Sequence, residues 1–145
     1  MDTKKSPEHL APTNLKQARE PAFFLLFEWA FQPDEPLDAL IDNIDEAFCP
    51  NHAAKALAGK TLEQREEIDA LIEQYSTGWK INRLAQVTLA LLRMAVCEIL
   101  YFDDVPVGAT INEVVELAKI YDSPDAASYI NGVLGALVRG QGAGE

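Results

Sequence analysis

Apolar side chains recur along this chain at helical spacing, and no stretch alternates as a half-buried strand does. From Leu15 to Phe31 the pattern is apolar almost all round: Phe23, Phe24, Leu25, Leu26, Phe27, Trp29 and Phe31 follow one another closely. Such a helix is either central to a core or also turned towards a partner. Thr13 or Asn14 is a candidate N-cap, and Pro21 predicts either a start near Arg19 or a kink, because an interior proline removes a backbone donor. Pro33 and Pro36 make a turn. Leu37, Leu40, Ile41, Ile44 and Phe48 then form a stripe with Asp38, Asp42, Asp45 and Glu46 opposite it, ended by Pro50. Residues 50 to 60 read as a loop or short helix closed by Gly59.

Thr61 and Gln64 have the spacing of a capping box at the start of the next helix. Leu62, Ile68, Leu71, Ile72 and Tyr75 give it an apolar stripe, with Gly78 as a C-terminal cap and Trp79 plugging the junction. Residues 82 to 101 are the densest apolar segment, with a polar strip of only Arg83, Gln86 and Arg93, and predict a central helix. Asp103, Asp104 and Val105 before Pro106 end it. Thr110 and Glu113 have the spacing of another capping box, ahead of Ile111, Val114, Val115, Ala118 and Tyr121. The last helix opens with Ser123 as N-cap, Pro124 and Asp125, and buries Ile130, Val133, Leu134 and Leu137. Gly132 and Gly135 inside it suggest a closely approaching neighbour helix. The expected fold is all-α, one compact domain of about six to seven helices over residues 15–139. Residues 1–14 read as a flexible N-terminal arm and 140–145 as a flexible tail.

Composition agrees with a folded domain. A chain of 145 residues with 48% hydrophobic residues can bury a sizeable core. Two cysteines, Cys49 and Cys97, are too few for a disulfide framework, and no signal-like or membrane-spanning run is seen. These features predict a cytoplasmic protein. The net charge of −11 is unevenly spread. Residues 1–19 hold Lys4, Lys5, Lys16 and Arg19 against Asp2 and Glu8, whereas Glu20 to Phe48 hold eight acids and no base. An acidic body repels nucleic acid and attracts basic proteins, so RNA binding would have to come from a local cationic patch.

Catalytic chemistry is not apparent. Cys49 and His52 form a C-x-x-H pair, but zinc needs three or four ligands and no second cluster follows. No serine or cysteine has a histidine base at recognisable spacing. The expectation is no enzyme, no metal and no cofactor. Binding candidates remain. Lys16 and Arg19 lie one helical turn apart and can face one phosphate path, or be two ordinary surface cations. Tyr129 sits on the flank of the last helix's stripe, where it either packs at the core edge or offers its ring to an unstacked base. Lys119 near its helix C-terminus suits the dipole and can also meet a phosphate.

The run Val105-Pro106-x-x-Ala109-x-Ile111-Asn112-Glu113-x-Val115-Glu116-Leu117-Ala118-Lys119, followed ten residues later by Tyr129-Ile130-Asn131-Gly132-Val133-Leu134, resembles the NusB family of transcription antitermination factors. Leu92 to Ile99, Ile68 to Ile72 and Trp79 resemble the same family. The resemblance implies two packed helical bundles in one domain, and binding of boxA leader RNA of ribosomal RNA transcripts together with ribosomal protein S10 (NusE), in an RNA polymerase antitermination complex. It implies RNA contacts at Lys16, Arg19, Lys119 and Tyr129 and S10 contacts at Phe27, Glu113 and Asp125. The family's arginine-rich motif is reduced to Lys16 and Arg19, Gln17 does not match it, and Gly108 stands where many relatives carry Lys. Weak RNA binding without S10 is therefore expected. Rival readings are an acidic helical adaptor or homodimer that binds proteins only, and the RNA-guiding domain of a ribosomal RNA cytosine methyltransferase.

Overall fold

The computed structural model describes residues 12–41, 52–76, 80–103 and 105–142, and these contain seven α-helices and no strand. They are α1 (Pro12–Phe31), α2 (Leu37–Ile41), α3 (His52–Glu63), α4 (Arg65–Tyr75), α5 (Gln86–Tyr101), α6 (Val107–Tyr121) and α7 (Pro124–Gln141), with a 3₁₀ turn at Ile81–Arg83. Residues 42–51 (including Ile44, Phe48, Cys49 and Pro50), Gly78, Trp79, Asp104 and the expected arm up to residue 11 lie outside the described residues.

The centre is α5, buried without interruption from Thr88 to Leu92 and again from Met94 to Glu98. It is apolar on most sides because it has neighbours on most sides: α1 and α3 pack against it, and so do α4, α6 and α7. That sharing makes two helical groups one body, with α1, α2 and α3 in one and α4, α6 and α7 in the other.

Helix α1 is already helical at Pro12, where the described residues begin, and runs through Pro21. Thr13 and Asn14 are therefore interior to the helix and not its caps, and a start near Arg19 is ruled out. Helix α3 runs through Gly59 and ends at Glu63, so Gly59 closes no loop and Thr61 opens no helix. Its Ala-rich sequence has enough helix propensity to carry one glycine. Thr61 is buried and its hydroxyl donates to the Leu57 carbonyl at 2.7 Å, one turn back. The break between α3 and α4 is the single residue Gln64, which makes no side-chain cap.

Thr110 also fails as a cap. Pro106 occupies the N-cap position of α6 and Thr110 lies in the helix, on its buried face. Ser123 does cap α7: its Oγ accepts from the Ala126 N–H at 3.0 Å, with Pro124 following. The close helix approach expected at Gly132 and Gly135 is absent. A Cβ at Gly132 would meet nothing within 4 Å, and one at Gly135 would meet only Arg139 Nη1, a turn further along α7, at 3.3 Å. The close approach is at Gly140, where a Cβ would overlap the Tyr75 ring. Helix α7 extends to Gln141, past the point where the tail was expected to begin, and Gly142 ends it in the left-handed region at φ 69°.

Candidate nucleic-acid interface

Arg19 is not where a phosphate contact would be. It falls on the same α1 stripe as Leu15, Ala18, Ala22 and Phe23, and is 4% exposed. Its guanidinium grips Glu98 of α5, Nε to Oε2 at 2.9 Å and Nη2 to Oε1 at 2.8 Å. Glu98 is 1% exposed and also accepts from the Thr110 hydroxyl of α6 at 2.9 Å. One carboxylate thus joins α1, α5 and α6. A charge this deep is tolerable only when paired and hydrogen-bonded. The expected surface shared by Lys16 and Arg19 is therefore corrected: Lys16 is exposed, Arg19 faces inward.

Other cations are held by carboxylates too. Arg93 makes a two-point contact with Asp69 at 2.8 and 2.9 Å and lies over the Trp29 ring, as does Arg65. Lys60 meets Glu63 at 3.2 Å. Lys119 is exposed and pairs with Glu116 one turn earlier at 3.0 Å. An exposed pair of that kind is weak, so Lys119 can be released to another anion.

Tyr129 and Asp125 come together on one side of α7. With Arg83, Leu84, Thr88 and Ala126 they line a cavity of about 330 Å³ between the start of α5 and the start of α7. Two side-chain contacts hold its walls. The Tyr129 hydroxyl is hydrogen-bonded to Ser76, just after α4, and the Thr88 hydroxyl donates to Asp122, between α6 and α7, at 2.6 Å. Asp125 is exposed and Tyr129 half-buried.

Phe27 lies elsewhere, on α1, half-buried in an aromatic row with Phe23 and Phe31. Its ring meets Phe31 edge-on at 5.1 Å, and Phe31 is 62% exposed. Phe23 and Phe24 pack on Tyr121, whose hydroxyl donates to Glu20 at 2.5 Å. Burial, and then the Glu20 carboxylate, push the Tyr121 hydroxyl up to about 12. Glu113 is half-buried on α6. Burial likewise lifts the Cys97 thiol to about 12, which makes it inert. Among the described residues no three metal-ligating side chains converge; Cys49 of the C-x-x-H pair lies outside them and His52 is exposed.

Arg83, Thr88, Glu98 and Phe31 do not stand out as functional from the chain alone. Arg83 is visible there only as part of the polar strip beside α5. The inward direction of Arg19 has a signal in the sequence, its helical spacing from Leu15 and Ala22.

The NusB family model matches residues 16–139. This chain belongs to the NusB family. It is 40% identical over 131 residues to the transcription antitermination protein NusB of Alkaliphilus oremlandii, covering 88% of this chain and 94% of that one. The solution structure of NusB from Aquifex aeolicus superposes with a TM-score of 0.74 at 30% identity, over 87% of this chain and 88% of that one. A chain in the crystal structure of antitermination factors NusB and NusE in complex with dsRNA superposes with a TM-score of 0.74 at 28% identity, over 90% of this chain and 99% of that one.

Proposed function

We propose that this protein is a non-enzymatic, cytoplasmic transcription antitermination factor that binds boxA-type leader RNA together with ribosomal protein S10 (NusE). The observation that carries this reading is the likeness, over almost the whole length of both chains, to a chain in the structure of antitermination factors NusB and NusE in complex with dsRNA. The relatives' name, transcription antitermination protein, supports the same role. Among the described residues no helix is long and apolar enough to cross a membrane.

In this reading Lys16, Lys119 and Tyr129 contact RNA, and Phe27, Glu113 and Asp125 contact S10. Arg19 acts on the fold and not on phosphate. With a net charge of −11 and one expected phosphate contact turned inward, the protein alone holds RNA weakly. A basic partner supplies the missing positive surface. The test is a titration of boxA RNA with and without S10. Binding that becomes submicromolar only when S10 is present is the expected result. Submicromolar binding without S10 overturns the composite mode, and no RNA binding in either case leaves the protein-only adaptor.

A further inference from the structure

We infer that Arg83 is an RNA-phosphate contact, acting across the α5–α7 cavity with Tyr129 so that one nucleotide of a single strand is held between them; this rests on the RNA-binding reading above. The cavity brings together the two kinds of group that sequence-tolerant single-strand recognition uses, a cation for the backbone and an aromatic ring for the base. Its volume of about 330 Å³ lies at the lower end of the range typical of small-ligand sites, about 300–1,000 Å³. Leu84 and Ala126 give it apolar lining for a base face.

Arg83 differs in its setting from several other cations of this acidic chain. Arg19, Lys60, Arg93 and Lys119 each meet a carboxylate. Arg83 instead is exposed at the end of the 3₁₀ turn and borders a cavity. A guanidinium there has a fork of donors suited to a phosphate. The α5 start adds to the same end of the cavity: its N-cap is Ala85, whose methyl group cannot satisfy the first-turn N–H groups. Asp125 sits on the α7 wall and repels a phosphate from that side, which orients the held nucleotide with its phosphate towards Arg83 and its base towards Tyr129.

The walls are fixed before any ligand arrives. Ser76 holds the Tyr129 hydroxyl and Asp122 holds Thr88. Holding the ring by its edge leaves stacking to its face, and lowers the ordering cost of binding.

The experiment compares wild type, Arg83→Ala and Tyr129→Leu in the presence of S10, with boxA RNA titrated at several salt concentrations. S10 binding is measured separately. Arg83→Ala is expected to weaken RNA binding about fivefold to tenfold near 0.1 M salt and to flatten the log–log salt slope by about 0.7, the value for one single-strand phosphate. S10 affinity stays unchanged. Tyr129→Leu is expected to weaken binding without changing the slope. If wild type with S10 binds no RNA, the RNA-binding reading itself falls. If wild type binds and Arg83→Ala matches it in affinity and slope, the inference alone is overturned. Loss of S10 affinity in Arg83→Ala, with the slope intact, also overturns it by placing Arg83 at the protein contact.

Discussion

Arg19 of α1 and Glu98 of α5 face each other in a two-point ion pair, both side chains at most 5% exposed. The pair sits where three helices meet, since Thr110 of α6 donates to the same carboxylate. Removing the guanidinium would leave a buried carboxylate short of its main partner. Arg19→Ala is therefore expected to cost about 3–5 kcal/mol of stability. Urea unfolding followed by circular dichroism checks this. Arg19→Lys keeps the charge but not the fork, so it should also lose stability. Its salt slope for RNA with S10 should equal that of wild type, because Arg19 touches no phosphate in this arrangement.

Two glycines of α7 should respond to alanine with opposite signs. At Gly132 a methyl group meets open space, and alanine removes the helix penalty of glycine, so Gly132→Ala is expected to stabilise by roughly 0.5–1 kcal/mol. At Gly140 the methyl group overlaps the ring of Tyr75, whose hydroxyl also accepts from Gln141 Nε2 at 3.1 Å. Gly140→Ala should cost up to about 1 kcal/mol, because the Tyr75 ring has to shift and gives up its Gln141 hydrogen bond. Thermal melts of the two variants beside wild type decide the matter.

Stability should decline in alkali, and Tyr121 should contribute. Its hydroxyl pKa is raised in the folded state, to about 12 from the ordinary 10. The folded protein therefore holds this proton more tightly than the unfolded chain. The contribution is fully present below pH 10 and is lost as pH rises from about 10 to about 12. Cys97 and Tyr101 are raised in the same direction. Tyr121→Phe should lose only the modest worth of the Glu20 hydrogen bond at neutral pH, about 1 kcal/mol. Above about pH 10 its stability should fall less steeply than that of wild type, measured as urea midpoints from about pH 8 to about pH 11.5.

Periodicity located most helices because each must bury a stripe, and the centrality of α5 follows from its apolar residues on nearly every side. The Ser123-Pro124 start of α7 was legible because cap and first turn are local chemistry. The capping-box spacings at Thr61 and Thr110 mislead for a physical reason. A threonine followed three residues later by Glu or Gln also occurs inside helices, where the hydroxyl finds another acceptor: the Leu57 carbonyl for Thr61, the Glu98 carboxylate for Thr110. Spacing alone puts Arg19 on the buried stripe of α1, but its partner Glu98 is 79 residues away, and no local pattern reports that pairing. The family motifs singled out Tyr129 and Asp125, but that Arg83 and Thr88 line the same cavity is visible only in the tertiary fold.

The Ser76–Tyr129 and Thr88–Asp122 contacts have a consequence for heat. Each joins segments far apart along the chain, 53 and 34 residues respectively, so each depends on several helices staying docked. Tyr129 lies on the helix that also places Ile130, Val133, Leu134 and Leu137 in the core, so the first latch opens only as α7 leaves that core. A weakened latch should then show itself on warming as a lower melting temperature of the whole protein, with no separate early transition.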